Sequence, residues 1–377
     1  MSQRTTDIRF EETLRAERVE PFPVAPGLFM ALFLTGALLL AVTNSALLES
    51  PDEPLLDGSW AAAYQERFDE ASPLFVPATT IWGAIDYILF DQGRAGVLVG
   101  EDGWLYSTEE FAYPAETDVA ARRLDANLDA IAAVADRLQE LDIDLVVALL
   151  PSKARIYPEH LGRYRLPKGP TQLYSLALAG LRDRGVPVTG LLPPLLEAKE
   201  EGAVFLRTDT HWTPYGAREA AEAVAETIRG IARFPWLDQE EYATTRSEPQ
   251  PHRGDLTNFL PLGPLYDELG PEDDELIGFE TSAAGAPDTD LFAQVEIPVV
   301  LVGTSYSQDE RWNFAGWLRQ ALGSDVLVAA QRGEGPFEPM VEYLGGDAFR
   351  NAPPQVVVWE VPERYLSRRW QTGEGGE

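Results

Sequence analysis

Four short apolar runs, Ile143 to Leu150, Val295 to Val302, Asp325 to Ala329 and Gln355 to Val361, constrain this chain more than any other feature. Each is too short for a typical helix and too continuously apolar for a strand with one wetted face, so they read as buried strands of a parallel sheet. Between them lie stretches of helical period. The longest runs from about Asp118 to Leu141, with Leu124, Leu128, Ile131, Val134 and Leu138 on one stripe. Others fall at Gln172 to Arg184, Leu195 to Glu201, Ala217 to Ile231, Trp312 to Leu322 and Pro336 to Leu344, and Val186-Pro187-Val188 reads as a further short strand. Alternating β and α elements predict an α/β fold: a parallel, doubly wound sheet with helices on both faces. Residues 233–295, rich in Pro, Gly and acids, break the alternation and read as an irregular insertion. Within it, His252-Arg253-Gly254-Asp255-Leu256 has the look of a tight turn that leaves His252 at the surface.

Ligands of such sheets bind beyond the carboxyl ends of the strands, and two stretches there carry chemistry. The run at 297–302 stops at Gly303-Thr304-Ser305-Tyr306-Ser307, which places Ser305 at a strand end before a helix. Backbone amides in such a turn can hold a developing oxyanion. A plain turn in which Ser305 or Ser307 only caps is the alternative. The second stretch is Asp209-Thr210-His211-Trp212-Thr213-Pro214. An aspartate two residues before a histidine can fix its tautomer and leave the far nitrogen as a general base, while Thr213-Pro214 supplies a helix N-cap and first turn. Together they make a Ser-His-Asp triad of Ser305, His211 and Asp209 in the chain order Asp, His, Ser, an order that triad geometry permits. Trp212, Trp312, Trp317 and Tyr306 can stack on sugar rings or fill the core. Lys153, Glu360, Glu363 and Arg364 can face a site or form structural ion pairs.

Charge narrows the partners: 61 acidic against 30 basic residues give a formal net charge of -31, which argues against nucleic acid. Cysteine is absent and only three histidines exist, so neither disulfides nor a Cys/His metal centre is expected, and no cofactor is called for. No charged residue lies between Glu20 and Glu49, and the span is strongly apolar. Arg4, Arg9, Arg15 and Arg18 precede it and Glu49, Asp52, Glu53 and Asp57 follow, which predicts a single-pass signal anchor with a cytoplasmic N-terminus. A cleaved signal peptide is the rival, with a poorer cleavage site. The expected organisation is a cytoplasmic tail at 1–20, a transmembrane anchor at 21–48, and a linker at 49–95 with one helix from Trp60 to Phe68. An exported catalytic domain at 96–370 and a short tail at 371–377 complete it.

Asp-Thr-His-Trp (209–212), Gly-Thr-Ser-Tyr-Ser (303–307), Pro-Ser-Lys-x-x-x-Tyr-Pro-Glu (151–159) and Trp-Glu-x-Pro-Glu-Arg-Tyr-Leu (359–366) together resemble the alginate O-acetylation proteins of the AlgX and AlgJ type. The likeness spans about Gly96 to Leu366. It implies an SGNH-hydrolase-like, flavodoxin-like domain, with Ser305 as nucleophile, His211 as base and Asp209 as its orienter. It also implies acetyl transfer to an exopolysaccharide outside the inner membrane, in the periplasm. A membrane-embedded acetyl-donor protein of the MBOAT type would serve it, together with other exopolysaccharide-export proteins. Tyr306, Trp312, Trp212, Lys153 and Arg364 are the candidate substrate-binding residues. The AlgX type carries a further C-terminal carbohydrate-binding module, for which the residues after Arg369 leave no room, so the AlgJ type is the nearer likeness. An acetyl esterase with the same triad and a non-catalytic polysaccharide-binding scaffold are the competing functions.

Overall fold

The computed structural model describes residues 24–43, 50–51, 54, 58–71, 75–231, 234–284 and 297–370. In chain order come the helices α1 (Val24–Thr43), α2 (Ser59–Ala71) and α3 (Phe75–Phe90), then an antiparallel ribbon of β1 (Val97–Val99) and β2 (Leu105–Ser107). The α/β alternation opens with α4 (Thr117–Gln139), β3 (Asp144–Leu150), α5 (Lys153–Ile156), α6 (Lys168–Asp183), β4 (Val188–Gly190), α7 (Leu192–Lys199) and α8 (Pro214–Ile231). The insertion contains β5 (Tyr242–Arg246), β6 (Gln250–His252), α9 (Tyr266–Leu269), β7 (Asp274–Leu276) and β8 (Phe279–Ala283). The alternation resumes with β9 (Val299–Gly303), α10 (Ser305–Gln308), α11 (Phe314–Leu322), β10 (Val326–Ala330), α12 (Phe337–Gly345), α13 (Asp347–Asn351) and β11 (Val356–Pro362).

Five strands form one all-parallel sheet in the order β10-β9-β11-β3-β4. Side chains of a strand alternate between faces, and both faces here are apolar. Val146, Ala148 and Leu150 of β3, with Leu301 of β9 and Val358 of β11, pack against α7, α8 and α11. Leu145, Val147 and Leu149, with Val300, Val302, Val357 and Trp359, pack against α4, α6 and α12. Helices therefore cover both faces, as the continuous apolar runs require. The order differs from a flavodoxin-like sheet traced from its first strand. Renumbered from β9, however, it reads 2-1-3-4-5, the flavodoxin-like order, so the chain is a cyclic permutation of that topology.

Contacts divide the chain into the units Met1–Thr79 and Thr80–Glu377. In the first, Trp60 stacks on Tyr64 with ring centres 5.1 Å apart on α2. α1 is 20 residues long with no charged residue. Over the residues whose side chains are described, no helix is long and apolar enough to cross a membrane. The N-terminal arginines and residues 1–23, 44–49 and 371–377 lie outside the described residues, as do Val295 and Glu296 at the start of the expected strand. The expected linker holds two helices rather than one, because Pro77 falls in the first turn of α3, where a missing N–H costs nothing. The expected irregular insertion is built of two antiparallel ribbons, β5 with β8 and β6 with β7.

Candidate active site

β9 ends where its partner strand β11 carries a buried carboxylate. Glu360 accepts from the Thr304 amide at 2.7 Å, from Thr304 Oγ1 at 2.9 Å and from Ser307 Oγ at 3.1 Å. A β-carbon on Gly303 would lie 2.6 Å from Glu360 Oε2, so the turn needs glycine there. Burial pushes the Glu360 carboxyl up in pKa, against the pull of these donors. The Ser307 hydroxyl is thus occupied by structure, and Ser305, half-buried at the first position of α10, is the hydroxyl left facing outward.

The facing loop is closed by a bridge between Phe205 and Trp212 and by the Leu206 amide on His211 O at 3.1 Å. Thr213 Oγ1 accepts from the Gly216 amide at 3.0 Å and caps α8, as the sequence predicts. This fixes the His211 ring between Ser305 and Asp209. His211 Nε2 lies 2.8 Å from Ser305 Oγ and Nδ1 lies 2.6 Å from Asp209 Oδ1. Trp312 stacks on the imidazole at 5.1 Å between ring centres. With Nδ1–H held by the carboxylate, Nε2 is the nitrogen free to take a proton from Ser305.

Asp209 is 1 % exposed and saturated with donors. Oδ1 accepts from Nδ1 and the amide of His211, the latter at 3.0 Å; Oδ2 accepts from His252 Nε2 at 2.9 Å and the Asp255 amide at 3.1 Å. Burial alone would raise its pKa, but the hydrogen bonds from His211 and His252 win and hold it well below the usual carboxylate range. His252 is therefore a buried partner of Asp209 and not the surface residue expected. It arrives on β6, whose neighbour Asp274 on β7 accepts from the amides of Arg207 at 3.0 Å and Thr208 at 2.8 Å and from Thr208 Oγ1 at 2.6 Å. The backbone of Gly254 presses so closely on Thr208 that a β-carbon would meet its carbonyl carbon at 2.2 Å.

The residues expected to bind substrate hold this loop instead. Lys153, fully buried, donates to the carbonyls of Leu206 at 3.0 Å, Arg207 at 3.1 Å and Asp209 at 2.7 Å, and burial lowers its pKa to about 8. Tyr306 donates to Thr210 O at 2.6 Å, and Arg364 Nη1 lies 3.4 Å from the same phenol oxygen. Trp212, Trp312 and Tyr306 are at most 1 % exposed and Arg364 is buried, so none offers a face to a sugar. Glu363 accepts from the Ser152 amide at 2.7 Å and pairs with Arg155 at 2.8 Å, which ties the 151–159 motif to the 359–366 motif. Asp209, His211 and Asp255 place three ligand atoms within 4.8 Å of one another, but both His211 nitrogens are already engaged, so a metal there would displace the triad contacts.

The geometry has relatives. The family described as ALGX, the SGNH hydrolase-like domain of acetyltransferase AlgX, matches residues 97–363. The probable alginate O-acetylase AlgJ of Azotobacter vinelandii is 43% identical over 355 residues, 93% of this chain and 90% of that protein. The alginate biosynthesis protein AlgX of Pseudomonas aeruginosa is 30% identical over 284 residues, 70% of this chain and 55% of that protein. Among solved structures, the O-acetyltransferase domain of Pseudomonas putida AlgJ superposes with a TM-score of 0.67 at 43% identity, over 75% of this chain and 96% of that one. The family match spans residues 97–363 and the 43% identical relative is covered over 90% of its length, so the chain belongs to the AlgX/AlgJ family of SGNH hydrolase-like acetyltransferases.

Proposed function

We propose that this protein is an alginate O-acetyltransferase that works through a covalent acetyl-Ser305. The observation that carries the reading is the continuous chain from Asp209 through His211 to Ser305, at 2.6 Å and 2.8 Å, in a domain of this family. In the first half-reaction Ser305 Oγ attacks the acetyl carbonyl carbon of the donor as His211 Nε2 takes its proton, which then passes to the departing group. In the second, a sugar hydroxyl gives its proton to His211 and attacks the acetyl-serine, and the proton returns to Ser305 Oγ. Asp209 keeps the imidazole in one tautomer and stabilises its charged form. The Ser305 amide, at a helix start with no intrahelical acceptor, is a main-chain donor available to the oxyanion.

The same reading puts the catalytic domain in the periplasm, tethered by α1 to the inner membrane with the N-terminus cytoplasmic. In support, α1 has 20 residues without charge, about the length that spans a bilayer core, and Leu28, Leu32, Leu34, Leu38 and Leu39 on it are more than half exposed. Acetyl groups then come from a membrane-embedded protein of the MBOAT type, since the anchored domain has no access to cytoplasmic acetyl-CoA.

Incubation of the full chain with a chromogenic acetyl ester and an oligouronate acceptor tests the reading. Acetylated oligosaccharide is expected, and free acetate alone would make the protein an esterase. Ser305→Ala and His211→Ala should each lower turnover by roughly three orders of magnitude or more, and the double variant should be scarcely worse than either. Undiminished transfer by folded Ser305→Ala sinks the acyl-enzyme.

A further inference from the structure

α3 is packed with its apolar side outward. Thr80, Gly83 and Ala84 are buried and Tyr87 half-buried, and Gly83 sits so close to Pro261 that a β-carbon would overlap it at 2.3 Å. The large side chains lie on the other face: Ile81 is 58%, Trp82 66%, Ile88 54% and Leu89 67% exposed, with Ile85 beside them at 36%. At 100° per residue these five fall within an arc of about 120°, an apolar stripe as wide as one that normally faces a core. A helix that buries small residues and presents isoleucine, leucine and tryptophan outward carries the kind of apolar patch that marks a protein or membrane contact, and covering it is favourable in proportion to the area removed from water.

We propose that this face of α3 lies in the surface of a lipid bilayer, as an interfacial helix that sets the catalytic domain against the membrane. The proposal rests on the anchoring role read for α1, which puts a bilayer within a short stretch of chain: α1 ends at Thr43 and α3 begins at Phe75. Composition along the face fits an interface. Trp82 belongs at the boundary between headgroups and acyl chains, and Asp86, half-buried at the edge, is the one charged residue of the helix. The carboxyl end of α3 carries cations in a chain otherwise dominated by acids. Arg163 donates to the carbonyls of Phe90 and Asp91; Arg94 is exposed four residues beyond the end of α3, and Arg165 is exposed two residues beyond Arg163. Among the described residues these three form no ion pair with a carboxylate, whereas Arg155, Arg184, Arg253, Arg311 and Arg319 all do. Guanidinium groups whose charge no carboxylate offsets, beside an apolar stripe, suit phosphate headgroups.

The natural absence of cysteine allows single spin labels in the full chain. Cysteines replacing Ile81, Ile85 or Leu89, with Ser175 as a solvent reference and Leu34 as an anchor reference, would be labelled and read in lipid nanodiscs. The readout is accessibility to oxygen against a water-soluble nickel chelate. Labels at 81, 85 and 89 are expected to show an oxygen-to-nickel ratio at least several-fold above that at 175. Adding anionic lipid should raise the ratio further in the parent chain and not in an Arg94→Gln, Arg165→Gln variant; an equal rise in both removes the arginines from the proposal. Nickel access equal to that at 175, or shielding from both reagents by a second copy or another segment, overturns the bilayer contact. A water-exposed label at 34 overturns the anchor instead, whatever α3 reports.

Discussion

One carboxylate gathers the chemistry of this site. Asp209 receives four hydrogen bonds, two from His211 and one each from His252 and the Asp255 amide. A hydrogen bond to a buried charge contributes about 1.5–3 kcal/mol, and losing one leaves the carboxylate freer to rotate away from the His211 ring. His252→Leu should therefore lower acetyl transfer by roughly 10- to 100-fold, mainly in kcat, whereas His252→Gln, which keeps a donor, should recover much of it. If His252→Leu transfers acetyl at the parent rate, His252 is only packing. The acid limb follows from the same contact. The folded pKa of Asp209 lies below its ordinary value of 3.8, so its stabilisation is complete above about pH 4 and is lost as pH falls through the lower folded value. His252→Leu weakens the depression and should move acid unfolding to higher pH. Asp209 and His211 were readable because two positions and a helix cap bring them together. His252 was not, since its partner lies 43 positions away and only the folded insertion joins them. The aromatics misled for a related reason: Trp212 and Trp312 have the chemistry of a sugar platform, and burial alone distinguishes a platform from a core.

At the level of elements, the apolar runs announced their strands to within a residue or two, except that β9 begins at Val299, four residues into the run expected from Val295. What they could not announce was lateral order. β11, last in the chain, lies between β3 and β9, and that places the Glu360 carboxylate under the Ser305 turn. The inverted chain order of the triad has the same origin, because a cyclic permutation moves the strand that bears the serine from first to third among the sheet strands in sequence while leaving its place in the sheet. The insertion looked irregular because its strands are three to five residues long and largely exposed, too short for a periodic signal. Yet it clamps the histidine loop. Gly254 meets Thr208 backbone to backbone, so neither partner can yield to a β-carbon. Gly254→Ala should reduce activity at least tenfold although position 254 touches neither Ser305 nor His211, and should lower the melting temperature by several degrees. Asp274→Ala, which strips the acceptor from Arg207 and Thr208, should act in the same direction at about 1–3 kcal/mol for each buried donor left unpaired. Parent-like activity and melting in Gly254→Ala would show that the insertion is not seated on this loop.

For the whole molecule the question is how a chain of net charge -31 takes up a polyuronate, itself one negative charge per sugar. Beside the Ser305 turn, a cavity of about 760 Å³ is lined by Arg311 and Arg319, but also by Glu280, Asp309 and Glu310. Asp309 engages both Arg311 and Arg332 at 2.5 Å, which leaves little free cationic charge there to offset the global field. Long-range repulsion should then dominate the encounter with acceptor and should be relieved as the Debye length shrinks from about 30 Å at 0.01 M salt to about 8 Å at 0.15 M. The KM for an oligouronate acceptor is accordingly expected to fall as sodium chloride rises over that range, with kcat for a neutral ester donor in the absence of acceptor nearly constant. Proteins that grip polyanions with free arginine and lysine show the opposite sign. Titrating salt at fixed pH, with a neutral oligosaccharide as control, separates the two. A KM for the oligouronate that rises with salt would mean that local cations, not the net charge, govern acceptor binding, and Arg311→Gln should then abolish the rise.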